Sequence, residues 1–181
     1  MVHVNDANAQ VTIFHEMAYE RLLDELNSKD DLAVRLGDTL DVKASILLAA
    51  ITLLATQTAY FLDKQTPGLP HYLLVGAAVL LGMATVTAFA ELWPRTYMMP
   101  VPESSGIARA TELHDFYSQR ESVEASTMFA EFTKNEMGWA QSRIATNQGI
   151  NFVKSKCLEW SFYFTALAML LNIATLFMRL F

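Results

Sequence analysis

Ala44-Ser45-Ile46-Leu47-Leu48-Ala49-Ala50-Ile51-Thr52-Leu53-Leu54-Ala55-Thr56-Gln57-Thr58-Ala59-Tyr60-Phe61-Leu62 is an uncharged run of 19 residues, closed by Lys43 on one side and Asp63 on the other. A helix rises about 1.5 Å per residue, so the run covers roughly the 30 Å hydrocarbon core of a bilayer. Tyr72 to Ala90 and Trp160 to Met178 are two further uncharged runs of the same length. The 181-residue chain is 52% hydrophobic, high for one soluble domain. The fold class expected is an all-α membrane protein with three transmembrane helices and a helical cytosolic portion.

Working outward from the first run, Val11, Phe14, Ala18, Leu22 and Leu26 recur at three and four and form one stripe of an amphipathic helix. Asn27 to Asp31 reads as a polar break in which Asp30 or Asp31 caps a new helix. Gly37 is that helix's only breaker, so it is expected to run through Lys43 into the span. Pro67, Gly68 and Pro70 turn the chain between the first two spans. Pro94, Pro100, Pro102 and Gly106 end the second helix and set off the next segment. Residues 107–156 are charged, and predict two or three helices with bends at Gly138 and Gly149. The expected division is therefore 1–43 cytosolic helices, 44–62 first span, 63–71 periplasmic loop, 72–90 second span, 91–157 cytosolic helical segment and 158–178 third span.

Lysine and arginine flanking membrane spans stay in the cytoplasm. With the N-terminus and the 91–157 segment inside, only Lys64 and Arg179 lie outside. Arg35, Lys43, Arg95, Lys154 and Lys156, all close to span ends, carry the assignment. Trp93, Trp160 and Tyr163 fall near the inner boundary, where amphipathic rings are favoured. The first forty residues contain no signal-peptide stretch, so a mature, cytosolic N-terminus is expected.

A net charge of −6 without a basic block argues against nucleic acid as a partner. The four histidines are scattered, and Cys157 is the sole cysteine, so no metal cluster or disulfide suggests itself. No phosphate-cradling glycine loop or nucleophile elbow is present. No charge sits mid-span, which speaks against an ion-coupled transporter. The sequence nominates no catalytic residue, cofactor or metal.

Small and polar residues do pattern the spans. Ser45, Ala49, Thr52 and Thr56 share one face of the first, and Ala78 and Gly82 form a small-xxx-small pair in the second. Thr165, Ala168, Asn172 and Thr175 repeat at three, four and three in the third. Such stripes suit either packing among the three spans or an oligomer whose polar faces meet and open a leak. In the cytosolic segment Arg109, Arg120, Lys134, Trp139 and Arg143 supply cations and a ring for a nucleotide, since bases stack on aromatics and phosphate pairs with arginine. Phe116, Val123, Phe129 and Phe132 equally suit the core of a helix bundle.

Asp41-Val42-Lys43-Ala44-Ser45-Ile46-Leu47-Leu48 leads directly into the first span, Trp93-Pro94 ends the second, and Asn151, Lys154 and Lys156 lead into the third. This pattern resembles the transmembrane effectors of bacterial Pycsar antiphage systems. The resemblance covers the order of elements along the whole chain; from Pro100 to Gly149 it extends only to length and helical character. It implies a bacterial inner-membrane protein that senses cyclic UMP or cyclic CMP, made by a pyrimidine cyclase encoded nearby, and that impairs the membrane so that the infected cell dies. It further implies a homo-oligomer. Asp41, Lys43, Asn151 and Lys156 would then belong to the family motif and couple binding to the spans, with Thr165, Asn172 and Thr175 in helix packing or a pore. Snorkelling to headgroups is an alternative role for Lys43. A small structural subunit scaffolding a larger membrane complex is the other class the same features allow.

Overall fold

The computed structural model describes residues 3–64, 67–99, 108–112, 115–116 and 125–180. Three long helices dominate: α1 His3–Asp63, α2 Leu69–Leu92 and α3 Ala125–Leu180. All three are long and apolar enough to cross a membrane. The protein is an all-α membrane protein, and no strand occurs among the described residues.

Proline sets the ends of α2. Pro70 lies in its first turn, where a missing N–H is harmless. Trp93, which precedes Pro94, leaves the helix at φ −57°, ψ 126°, the extended conformation that a following proline imposes.

The break expected in α1 does not occur. α1 passes through Asn27 to Asp31 without a break, because the Asp30 carboxylate turns to α3 instead of capping. α3 passes through Gly138 and Gly149. A glycine costs a helix about 1 kcal/mol, too little to stop one that packing supports.

The chain forms two compact units. Unit 1 comprises Met1–Val34 and Tyr97–Gln148; unit 2 comprises Arg35–Thr96 and Gly149–Phe181. In unit 2 the inward positions alternate at three and four on every helix: 37, 40, 44, 47, 51, 54 and 58 on α1, 74, 77, 81, 84, 88 and 91 on α2, and 151, 154, 158, 161, 165, 168, 172 and 175 on α3. That 3.5-residue period is the seam of coiled-coil-like packing. Ile51, Ala77, Leu81, Ala84, Ala88 and Ala168 form its buried core.

Unit 2 also buries polar side chains and exposes large apolar ones. Thr58, Ser161, Thr165, Asn172 and Thr175 are buried, while Leu53, Val79, Val86, Phe162, Leu170 and Phe177 are exposed. Water would penalise such a surface; a bilayer favours it, because hydrocarbon solvates apolar side chains and leaves polar ones to find partners within the protein.

Candidate functional site

Unit 1 is organised around a buried charge. Asp30 accepts from Arg143 Nε at 2.9 Å and from Asn147 Nδ2 at 3.1 Å. Arg143 and Asn147 stand one turn apart on α3 and so reach the same carboxylate. Asn147 also clasps the segment that follows α2: its Nδ2 donates to Met98 O at 3.0 Å and its Oδ1 accepts from Met98 N at 2.9 Å. One fully buried amide thus satisfies a backbone N–H and C=O that Pro94 removed from any helix.

Beside this core lies a cavity of about 410 Å³ lined by Arg109, Glu112, Phe116, Phe132, Asn135, Glu136 and Trp139. The Arg109 guanidinium stacks over the Trp139 indole at 4.0 Å and donates to Glu136 Oε1 at 3.2 Å. Only part of its five-donor fork is used by that bond. The cavity therefore offers an aromatic face, a cation with spare donors, and carboxylates able to accept from hydroxyl or amino groups.

Of the five residues expected to meet a ligand, Arg109 and Trp139 come together here. Arg143 is engaged with Asp30, Lys134 is exposed, and Arg120 lies outside the described residues. On the outer face of α1, Lys29 holds the Glu25 carboxyl below its usual range through a 2.7 Å hydrogen bond and its charge. Such an exposed pair adds little stability.

Unit 2 carries a second polar centre where its helices meet the apolar runs. Lys154 of α3 pairs with Asp41 of α1, and Glu91 of α2 is fully buried in the field of Asp41, Lys154 and Arg95. Among the described residues no N–H or hydroxyl donor reaches either Glu91 oxygen. The lysine charge is what makes two neighbouring carboxyl groups tolerable at this depth.

Asn151 is buried one turn before Lys154. Lys156 faces outward and pairs with Glu159 at 2.7 Å, and Lys43 is exposed. Of the two lysines that lead into the third span, it is Lys154 that lies on the seam.

Further into the apolar region Asn172 Nδ2 donates to Thr58 Oγ1 at 3.0 Å, joining α3 to α1, and Ser161 Oγ donates to Ala84 O at 2.8 Å, joining α3 to α2. Thr165 and Thr175 are buried and bond the carbonyls of their own helix. The stripe of the third span thus packs within the chain.

The stripes of the other two spans face outward. Ser45, Ala49, Thr52 and Thr56 are exposed, as are Ala78 and Gly82. The inward face of α2 is instead Leu74, Ala77, Leu81, Ala84, Ala88 and Glu91.

Asn147 and Glu91 did not stand out in the sequence, and Asp30 did so only as a helix cap. The signal that finds them is the spacing of three and four, once polar residues are admitted to the seam. Arg143 and Asn147 are one turn apart, Asn151 and Lys154 continue the same face, and Glu91 closes the α2 series that starts at Leu74.

A family model for the Pycsar effector protein domain matches residues 30–180. No curated protein and no solved structure matches the chain.

Proposed function

The chain belongs to the Pycsar effector family, and from that premise we propose that it senses a cyclic pyrimidine nucleotide, cyclic UMP or cyclic CMP, made by a partner cyclase during phage infection. Binding impairs the inner membrane, and the infected cell dies before the phage matures. The observation that carries this reading is the family match over residues 30–180, which takes in the apolar runs of all three long helices and residues 97–148 of unit 1. The basic residues flanking the spans support an arrangement in which the N-terminus and the 91–157 segment face the cytoplasm, where the cyclase releases its product.

The chemistry of the Arg109 cavity suits the ligand. A pyrimidine ring can stack on Trp139 or Phe132, the cyclic phosphate can take donors of Arg109 not used by Glu136, and Glu112 or Glu136 can accept from the ribose hydroxyl. Arg120 and Lys134 remain candidates for further charge contacts. Arg143 supports the site indirectly, by holding Asp30.

Coupling to the membrane would run through α1 and α3, each of which contributes to both units. A ligand shifts a resting form toward an active one only by its differential affinity, about 1.4 kcal/mol for each tenfold. The Asp41, Glu91 and Lys154 cluster ties the three helices of unit 2 at one level, so its rearrangement is the natural step by which the spans separate or reassemble. The outward stripes of small residues on α1 and α2 would let spans of neighbouring copies approach closely.

Two measurements test the reading. A membrane-potential dye in cells expressing the protein should report depolarisation when the cyclase is co-expressed, and a steady potential with either cyclic nucleotide rejects the function. Calorimetry on purified protein should show at least a tenfold weaker affinity for the active nucleotide in Arg109→Gln and Trp139→Ala. Unchanged affinity in both rejects the cavity as the site.

A further inference from the structure

On the face of unit 2 between α1 and α3 lies an open groove of about 600 Å³, lined on α1 from Leu40 to Ala50 and on α3 from Ser155 to Tyr163. Its polar end holds Lys43 and Ser155; Ile46, Ala50 and Phe162 line its apolar length. From Lys43 to Ala50 is roughly 10 Å along the helix, so the groove starts at the head of the first apolar run and descends into it. In a membrane this descending part opens to hydrocarbon, where an unfilled gap forfeits dispersion contacts with everything that lines it.

The charges at the polar end decide the occupant. Lys43 is exposed, and among the described residues its ammonium has no ion-pair partner. Glu159, the carboxylate that also lines the groove, is matched by Lys156 at 2.7 Å. The end is thus left with one unmatched positive charge beside the Ser155 hydroxyl, above an apolar channel. A cation and a hydroxyl at the headgroup level fit a phosphodiester with net negative charge, and the channel fits an acyl chain. Basic pockets between membrane helices bind anionic headgroups in this way.

We propose that this groove is a binding site for an anionic phospholipid, whose phosphate is held by Lys43 and Ser155 and whose acyl chain lies against Ile46, Ala50 and Phe162. No residue lines both the groove and the Arg109 cavity, and occupancy of the groove would bind α1 to α3 through a lipid.

Native mass spectrometry of the full chain, released from micelles doped with phosphatidylglycerol or phosphatidylcholine, tests this. The unaltered protein should retain phosphatidylglycerol in preference to phosphatidylcholine. Lys43→Gln, at an exposed position where folding is not at issue, should lose about fivefold of that preference, the effect of one lysine near a charged headgroup. Ala50→Trp, which fills the apolar length, should release both lipids.

Equal retention of the two lipids by the unaltered protein overturns the proposal, as does a Lys43→Gln preference that does not change. So do displacement of bound lipid by cyclic CMP, which makes the nucleotide the occupant, and a dimer that forms without lipid and is lost in Ala50→Trp, which makes a second copy the occupant.

Discussion

At position 143 a guanidinium that residue type and neighbours offer to a ligand is instead held inside the fold. Arg143 and Asp30 are both nearly inaccessible, and a buried charge left without its partner costs about 3–5 kcal/mol. Asp30→Ala should therefore lower the stability of the protein in detergent by about that amount, read from thermal melting. Adding Arg143→Met to Asp30→Leu should recover most of the loss, because a well-packed apolar pair removes both desolvated charges. The cluster in unit 2 follows the same physics with an unequal charge count, two carboxyls to one buried ammonium. Lys154→Met should be the most damaging of three substitutions, Asp41→Asn intermediate because Glu91 can still answer the lysine, and Glu91→Gln the mildest. Melting temperatures of the three variants check the order, and an equal effect of all three would refute it.

Among the elements, α3 is the one whose continuity the residues least announce. Gly138 and Gly149 lie within it, and a Cβ added at either meets nothing within 4 Å. Replacing each by alanine should stabilise the helix by about 0.8–1 kcal/mol, visible as raised melting temperatures. If activation requires α3 to bend at these positions, the double variant will also blunt depolarisation while binding nucleotide normally. The elements were legible in the sequence wherever a steric rule applied. Pro94 ended α2 as expected, since a missing N–H and a ring clash admit no compensation, whereas Pro70, expected in the loop, stands in the first turn of α2, and Pro100 and Pro102 lie outside the described residues. The polar stretch Asn27 to Asp31 and the glycines were weaker signals, because a propensity of under about 1 kcal/mol yields to packing along a long helix.

For the whole molecule, the outward stripes bear on assembly. Gly82 is exposed, and a Cβ added there meets nothing within 4 Å. Gly82→Leu should therefore raise the melting temperature slightly, as replacing an unobstructed helical glycine by a better helix former does. If copies assemble through this face, the same variant should lose cross-linked oligomers and depolarisation together. Retention of both would show that α2 does not meet a second copy there.

What the sequence determined by itself is the three spans, the Pro94 end of α2 and the membrane class, because a proline's steric limits are local and hydropathy sums over residues whatever their neighbours. Tertiary structure alone decided which faces turn inward. A threonine or serine that bonds a carbonyl of its own helix is satisfied on either face, so Ser45, Thr52 and Thr56 point outward while Thr58, Thr165 and Thr175 are buried. The same holds for the ionisable residues at the span ends. Lys154 and Lys156 read alike along the chain, but only Lys154 falls on the 3.5-residue seam that brings it to Asp41.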